Sequence, residues 1–130
     1  MRLLSSMIVC LALAGCALWP SKFDTQEHAR IINIYVASKD NSACTSPEQA
    51  RPLANQMYRD AEWLYHYGST LTDNEDMTKM ELSLLGMIRE LRDRYNREDK
   101  VSVLYCRSKF DNIHRATETM IKVSARRPRT

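Results

Sequence analysis

Apolar residues recur at three- and four-residue spacing through most of this chain, the mark of amphipathic helices with one face turned inward. The first such stretch opens near Asp24 or Thr25, either of which can cap it, with Glu27 favouring the positive N-terminal end. His28, Ile31, Ile32, Tyr35 and Val36 are predicted to share its inner face, and Ser38 to Ser42 reads as a turn. Ser46-Pro47-Glu48-Gln49 has the form of a helix start. Pro52 conflicts with it, because proline removes a backbone donor inside a helix, so either that first turn is separate or the second helix starts near Arg51. Its stripe is Leu53, Ala54, Met57, Ala61, Leu64 and Tyr65, with Gly68 as the stop.

Thr72-Asp73-Asn74-Glu75 is a capping box for a third helix, the most regular of the set. Met77, Met80, Leu84, Met87, Leu91 and Arg94 form its stripe, widened by Leu85, Ile88 and Tyr95. After a turn at 96–100, a fourth helix runs from about Val101 to Arg126. It presents Val103, Cys106, Phe110, Ile113, Thr117, Met120 and Ser124, and Pro128 ends it. The fold class expected is all-α, a small antiparallel bundle of about four helices with short connections. Composition agrees: beyond residue 15 there are two glycines, Gly68 and Gly86, few β-branched runs, and many Leu, Met, Ala, Glu and Arg.

The apolar run from Leu3 to Trp19 has a different pattern. It follows Arg2, and its uninterrupted middle from Met7 to Ala14 has the length of a signal-peptide core. A spanning helix needs roughly 20 apolar residues, so an uncleaved anchor is the weaker alternative. The run ends in Leu13-Ala14-Gly15-Cys16, which resembles the lipobox of bacterial lipoproteins. That resemblance implies a diacylglyceryl group on the Cys16 sulfur, cleavage before it, and a lipid anchor. Ala17, where an aspartate would signal inner-membrane retention, implies the periplasmic face of the outer membrane. Ala12-Leu13-Ala14 also satisfies the pattern for ordinary secretory cleavage, which stays open. The organisation expected is a lipoprotein signal peptide at 1–15, a lipidated tether at 16–23 and a helical domain at 24–130.

Cysteine arithmetic weighs between the two cleavages. Cys10 leaves with the signal in either case, and ordinary cleavage would strand an odd thiol among Cys16, Cys44 and Cys106. Lipidation uses Cys16 and leaves Cys44 and Cys106 as a disulfide pair. A metal site is the alternative, but His28, His66 and His114 show no ligand spacing near either cysteine. No cofactor, metal or nucleic acid is called for, and no catalytic constellation stands out, so the chain reads as a non-enzyme.

Charge is uneven. From Arg107 onward seven Lys or Arg face Asp111 and Glu118, whereas Cys16 to Cys106 holds eleven basic and fourteen acidic residues. Such a basic segment is either a solvated helix face or a surface for an anionic partner. Tyr58, Trp63 and Tyr67 on the second helix, with Met57, Met77, Met80 and Met87, are candidates for a partner groove, since aromatics and adaptable methionines suit one. The alternative use of these residues is core packing.

The layout is similar to the helical pilotins of bacterial secretion systems, small outer-membrane lipoproteins with one cysteine after the first helix and another opening the last. The matching residues are Cys16, Cys44 after the Ile31 to Tyr35 helix, and Cys106 in Tyr105-Cys106-Arg107-Ser108-Lys109-Phe110. The resemblance implies that the bundle holds a helical segment of a secretin or another envelope partner while the lipid fixes it to the membrane. Arg126-Arg127-Pro128-Arg129 and Pro52 depart from it. A structural envelope lipoprotein and the outer subunit of a phage spanin are the alternatives; the proline-rich linker usual in the latter is missing.

Overall fold

Asp24 sits in extended conformation and accepts a hydrogen bond from the Glu27 amide at 2.9 Å, which starts the first helix, α1, Thr25–Lys39. In the computed structural model, which describes residues 21–98 and 100–129, a 3-10 turn over Asn41–Thr45 follows. The helices α2, Pro47–Gly68, α3, Glu75–Arg97, and α4, Val103–Ala125, come next, with no strand among the described residues.

Cross-helix contacts fix the topology. Arg30 reaches Asp60 and Asp24 reaches Tyr67, so α1 and α2 are antiparallel. Arg51 on α2 donates to the Tyr95 carbonyl near the end of α3. Glu90 and Arg94 on α3 meet Lys109 and Tyr105 on α4, and His28 and Tyr35 on α1 meet Ser124 and His114 on α4. Each helix therefore packs on its two neighbours in an up-down-up-down bundle. One pole carries the 3-10 turn and the start of α4. The other carries residues 21–28, the turn between α2 and α3, and residues 120–129.

The core between the helices is built from Ile31 and Ile34 of α1, Ala54, Met57, Ala61 and Leu64 of α2, Leu84, Ile88, Leu91 and Tyr95 of α3, and Phe110, Ile113 and Met120 of α4. The stripes of α3 and α4 fall where their spacing places them, except that Val103 is 39% exposed, the Arg94 side chain is equally exposed and Met80 and Met87 are half-buried. The inner face of α1 is turned from the predicted one. Glu27, Ile31, Ile34 and Ser38 point inward, whereas Ile32 and Val36 lie outside, Val36 at 60% exposure. The run Ile31-Ile32-Asn33-Ile34-Tyr35-Val36 offers two apolar faces, and the one chosen also places Glu27 and Ser38 beside partners on other helices.

Three further local readings change. The helix α2 runs through Pro52 from Pro47, because the donor that proline lacks falls close to the helix start. Pro52 and Glu48 are both exposed, where water can hydrate the freed Glu48 carbonyl. Ser46 caps α2 through its backbone carbonyl alone, which receives the amides of Gln49 and Ala50. The N-cap of α3 is Asn74 rather than Thr72, with Asp73 in the left-handed region at φ 55°. Aspartate tolerates that conformation better than most residues.

Cys44 in the 3-10 turn and Cys106 in the first turn of α4 are disulfide-bonded, with Cα atoms 5.6 Å apart. The bridge fastens the connection between α1 and α2 to α4. Cys10, Cys16 and the signal-peptide and lipobox readings lie outside the described residues. No helix among the described residues is long and apolar enough to cross a membrane.

Candidate functional site

Two regions combine polar chemistry with shape: a buried polar cluster at the pole holding Ser21, and an open seam along α1 and α2. The cluster is assembled from four chain segments. Glu27, in the first turn of α1, is fully buried. Arg127, just beyond α4, donates to Glu27 Oε1 at 3.0 Å and to Asn74 Oδ1 at 2.7 Å. Asn74 donates to Glu27 Oε2 at 2.6 Å and to the Gly68 carbonyl at 3.0 Å, and Ser21 donates to Asn74 Oδ1 at 3.1 Å. Asn74 is spent on these bonds and makes no side-chain cap for α3.

Glu81 completes the cluster from α3, also fully buried. No neighbouring N–H or O–H donates to either of its carboxyl oxygens. Its pKa is raised to about 9, first by burial, then by the charge of Glu27 and a hydrogen bond with it, while Arg127 acts in the opposite direction. The raised pKa makes Glu81 a neutral acid at pH 7. Gly68 makes the room: a Cβ there would run into the Glu81 carboxyl. Its place at the end of α2 matches the reading as a stop, but its φ is not positive and the constraint is space.

The raised pKa has a sign. An unfolded glutamate ionises near pH 4.3, whereas folded Glu81 keeps its proton up to about pH 9. Between these values the unfolded state binds fewer protons, so stability falls as pH rises, at most by about 1.4 kcal/mol per pH unit. Glu81→Gln mimics the neutral acid. Urea unfolding from pH 5 to 8 should show that this variant flattens the slope and is the more stable protein at pH 8. An unchanged slope would place the ionisation elsewhere.

The groove expected from Met57, Tyr58, Trp63, Tyr67, Met77, Met80 and Met87 is not gathered in one place. Met57 and Met77 are wholly inside the core and cannot line an open surface. Tyr58 lies on the α3 edge of α2 with the Arg92 guanidinium 3.6 Å above its ring. Met80 and Met87 are half-buried against the core from α3. Trp63 and Tyr67 stack on each other at 4.6 Å on the opposite, α1-facing edge of α2. The two edges diverge because the positions of Tyr58 and Trp63 differ by over a third of a turn around α2.

Trp63 and Tyr67 do line an open depression of about 520 Å³ with Arg59, Glu62, His66 and Thr70. Arg30 sits 4.2 Å over the Trp63 ring, and the Tyr67 hydroxyl donates to Asp24 at 3.0 Å. A second depression of about 540 Å³ lies further along α1 and α2, beside the disulfide pole. Val36, Ala37, Ala43, Pro52 and Leu53 supply its apolar surface, and Asp40 and Glu48 its acidic rim. The proline that seemed out of place in the helix is part of this cleft.

His28 bonds to Ser124 at 2.9 Å and His114 to the Tyr35 carbonyl at 3.1 Å, so both histidines join α1 to α4. No group of side chains with metal-holding geometry occurs among the described residues. Sequence reasoning passed over Glu27, Asn74, Glu81 and Arg127 as functional positions. One signal was present: Glu81 stands between Met77, Leu84 and Leu85 on the inner face of α3, where a charged residue requires a partner. Comparison with known proteins finds no matching family, no matching characterised protein and no matching solved structure.

Proposed function

We propose that this chain is an outer-membrane-anchored periplasmic lipoprotein that acts as a binding and assembly factor of the pilotin kind. Acylated Cys16 is the anchor, and the bundle holds a helical segment of a secretin or a similar envelope partner. The observation that carries this reading is polar: the open apolar cleft of Val36, Ala37, Ala43, Pro52 and Leu53 lies at the opposite pole from Ser21, where the chain leaves towards Cys16. A helix with an apolar face and basic flanks suits the cleft and the Asp40 and Glu48 rim. A partner segment that folds on docking spends part of its interaction energy on ordering, which keeps such a complex reversible.

Deleting the gene should mislocalise or destabilise a secretin multimer, and Cys16→Ala should do the same by leaving the bundle unanchored. Val36→Glu with Leu53→Glu should leave a folded, anchored protein that no longer supports assembly. Normal secretin multimers in the deletion strain would sink the proposal.

A further inference from the structure

The pole that carries Ser21 has two unlike sides. On the α4 side, Arg126 and Arg129 are exposed, and Lys22 joins them from the segment entering α1. These three are held in place. Arg127 between them is anchored on Glu27 and Asn74, the Phe23 amide donates to the Pro128 carbonyl at 2.8 Å, and the Arg129 guanidinium lies 3.9 Å over the Phe23 ring. On the other side, the turn into α3 exposes Asp73, Glu75 and Asp76.

The chain that leaves this pole is short. From Cys16 to Ser21 it has five peptide steps, at most about 18 Å when fully extended. The 22 residues of α2 alone make the bundle about 33 Å long. An acylated Cys16 thus keeps the Ser21 pole within reach of the lipid headgroups.

We infer that this pole docks on an anionic lipid surface, tilted so that Lys22, Arg126 and Arg129 face the headgroups while the acidic turn before α3 is turned away. The inference rests on acylation of Cys16, as proposed above. The basic side chains attract anionic headgroups, and the acidic ones are repelled within a Debye length of the same surface. Because the buried Arg127 latch fixes the segment that carries Arg126 and Arg129, little backbone ordering opposes the docking. The tilt leaves the cleft of Val36 and Leu53 at the far pole, clear of the bilayer.

The test uses the mature lipidated protein, Cys16 to Thr130, reconstituted in phosphatidylcholine vesicles with and without phosphatidylglycerol. A fluorophore is placed on Ala125→Cys or on Thr72→Cys, both exposed positions at this pole, and quenched by a nitroxide on the lipid headgroup. With phosphatidylglycerol, the label at 125 should be quenched more than the label at 72, and high salt should abolish the difference. Replacing Lys22, Arg126 and Arg129 by Ser should lower the docked-to-undocked ratio about fivefold per residue, about 100-fold for all three. Equal quenching at both positions, or the same quenching in neutral vesicles, overturns the docking. Mass spectrometry of the same sample reads the anchor separately: an unacylated Cys16 overturns the lipoprotein reading and the docking with it, whereas an acylated protein without the asymmetry overturns the docking alone.

Discussion

Arg127→Ala is expected to lower the unfolding free energy by about 3–5 kcal/mol, the usual cost of removing one partner from a buried ion pair. The size follows from what remains. Glu27 would stay fully buried with Asn74 and the neutral Glu81 as its polar neighbours and no cation. Asn74 would lose one of its two donors at Oδ1 and keep Ser21. For a domain whose total stability falls in the usual range of about 5–15 kcal/mol, this is a severe loss. Urea unfolding at pH 7 measures it. The companion variant Arg127→Met with Glu27→Gln removes both charges and should recover most of the loss, because a neutral amide can still bond to Asn74 and Glu81. If Arg127→Ala unfolds within about 1 kcal/mol of the native protein, water reaches Glu27 and the cluster is not the dry site its burial indicates.

Opening the Cys44–Cys106 bridge should cost a comparable amount at the opposite pole. The two cysteines are 62 residues apart in sequence, and chain-entropy arithmetic for a loop of that length gives about 4 kcal/mol. Cys44→Ala with Cys106→Ala should therefore unfold at much lower urea concentration, and the native protein with reductant should behave like it. Both sulfurs are buried and both replacements are small and apolar, so the effect comes mainly from the freed unfolded chain. A reductant shift under about 1 kcal/mol would mean that the unfolded chain retains structure around the two cysteines. Since Arg127 and the disulfide occupy opposite poles and share no partner, their losses should add within about 0.5 kcal/mol.

The two results together describe how the bundle is closed. Its middle is apolar and needs only volume and spacing. Its poles are where chain segments enter, leave and turn, and each is secured by a specific link: a covalent one beside the cleft, and a charged one beside the segment leading to Cys16. If the protein holds a partner at one end and a membrane at the other, the links stand at the two places where force would be applied.

Much of this was legible in the residues themselves. The four helices, the inner stripes of α3 and α4 and the pairing of Cys44 with Cys106 follow from periodicity and from the places of the cysteines, because a helix repeats every 3.6 residues and the described residues hold just these two cysteines. Local chemistry also placed the cap of α1 at Asp24, and α4 starts at Val103, two residues from the expected Val101. The face of α1 was not legible, since Ile31, Ile32, Ile34 and Val36 support two registers equally well. Pro52 was read as an obstacle to α2, although the helix tolerates it near the start and the cleft uses its ring.

By itself, then, the sequence determined the number of helices, their order and the covalent staple, because each depends on residues close together along the chain or on a count. Tertiary structure alone decided the charged pole. Ser21, Glu27, Gly68, Asn74, Glu81 and Arg127 are spread over more than a hundred residues, and all but Glu81 have an ordinary local reading: a linker serine, a helix-start acid, a stop, a turn residue, a basic tail. Packing four helix ends around one point removes water from all six. Once water is gone, Glu27 must find a cation and Glu81 must keep its proton, and Gly68 must stay bare to admit Glu81.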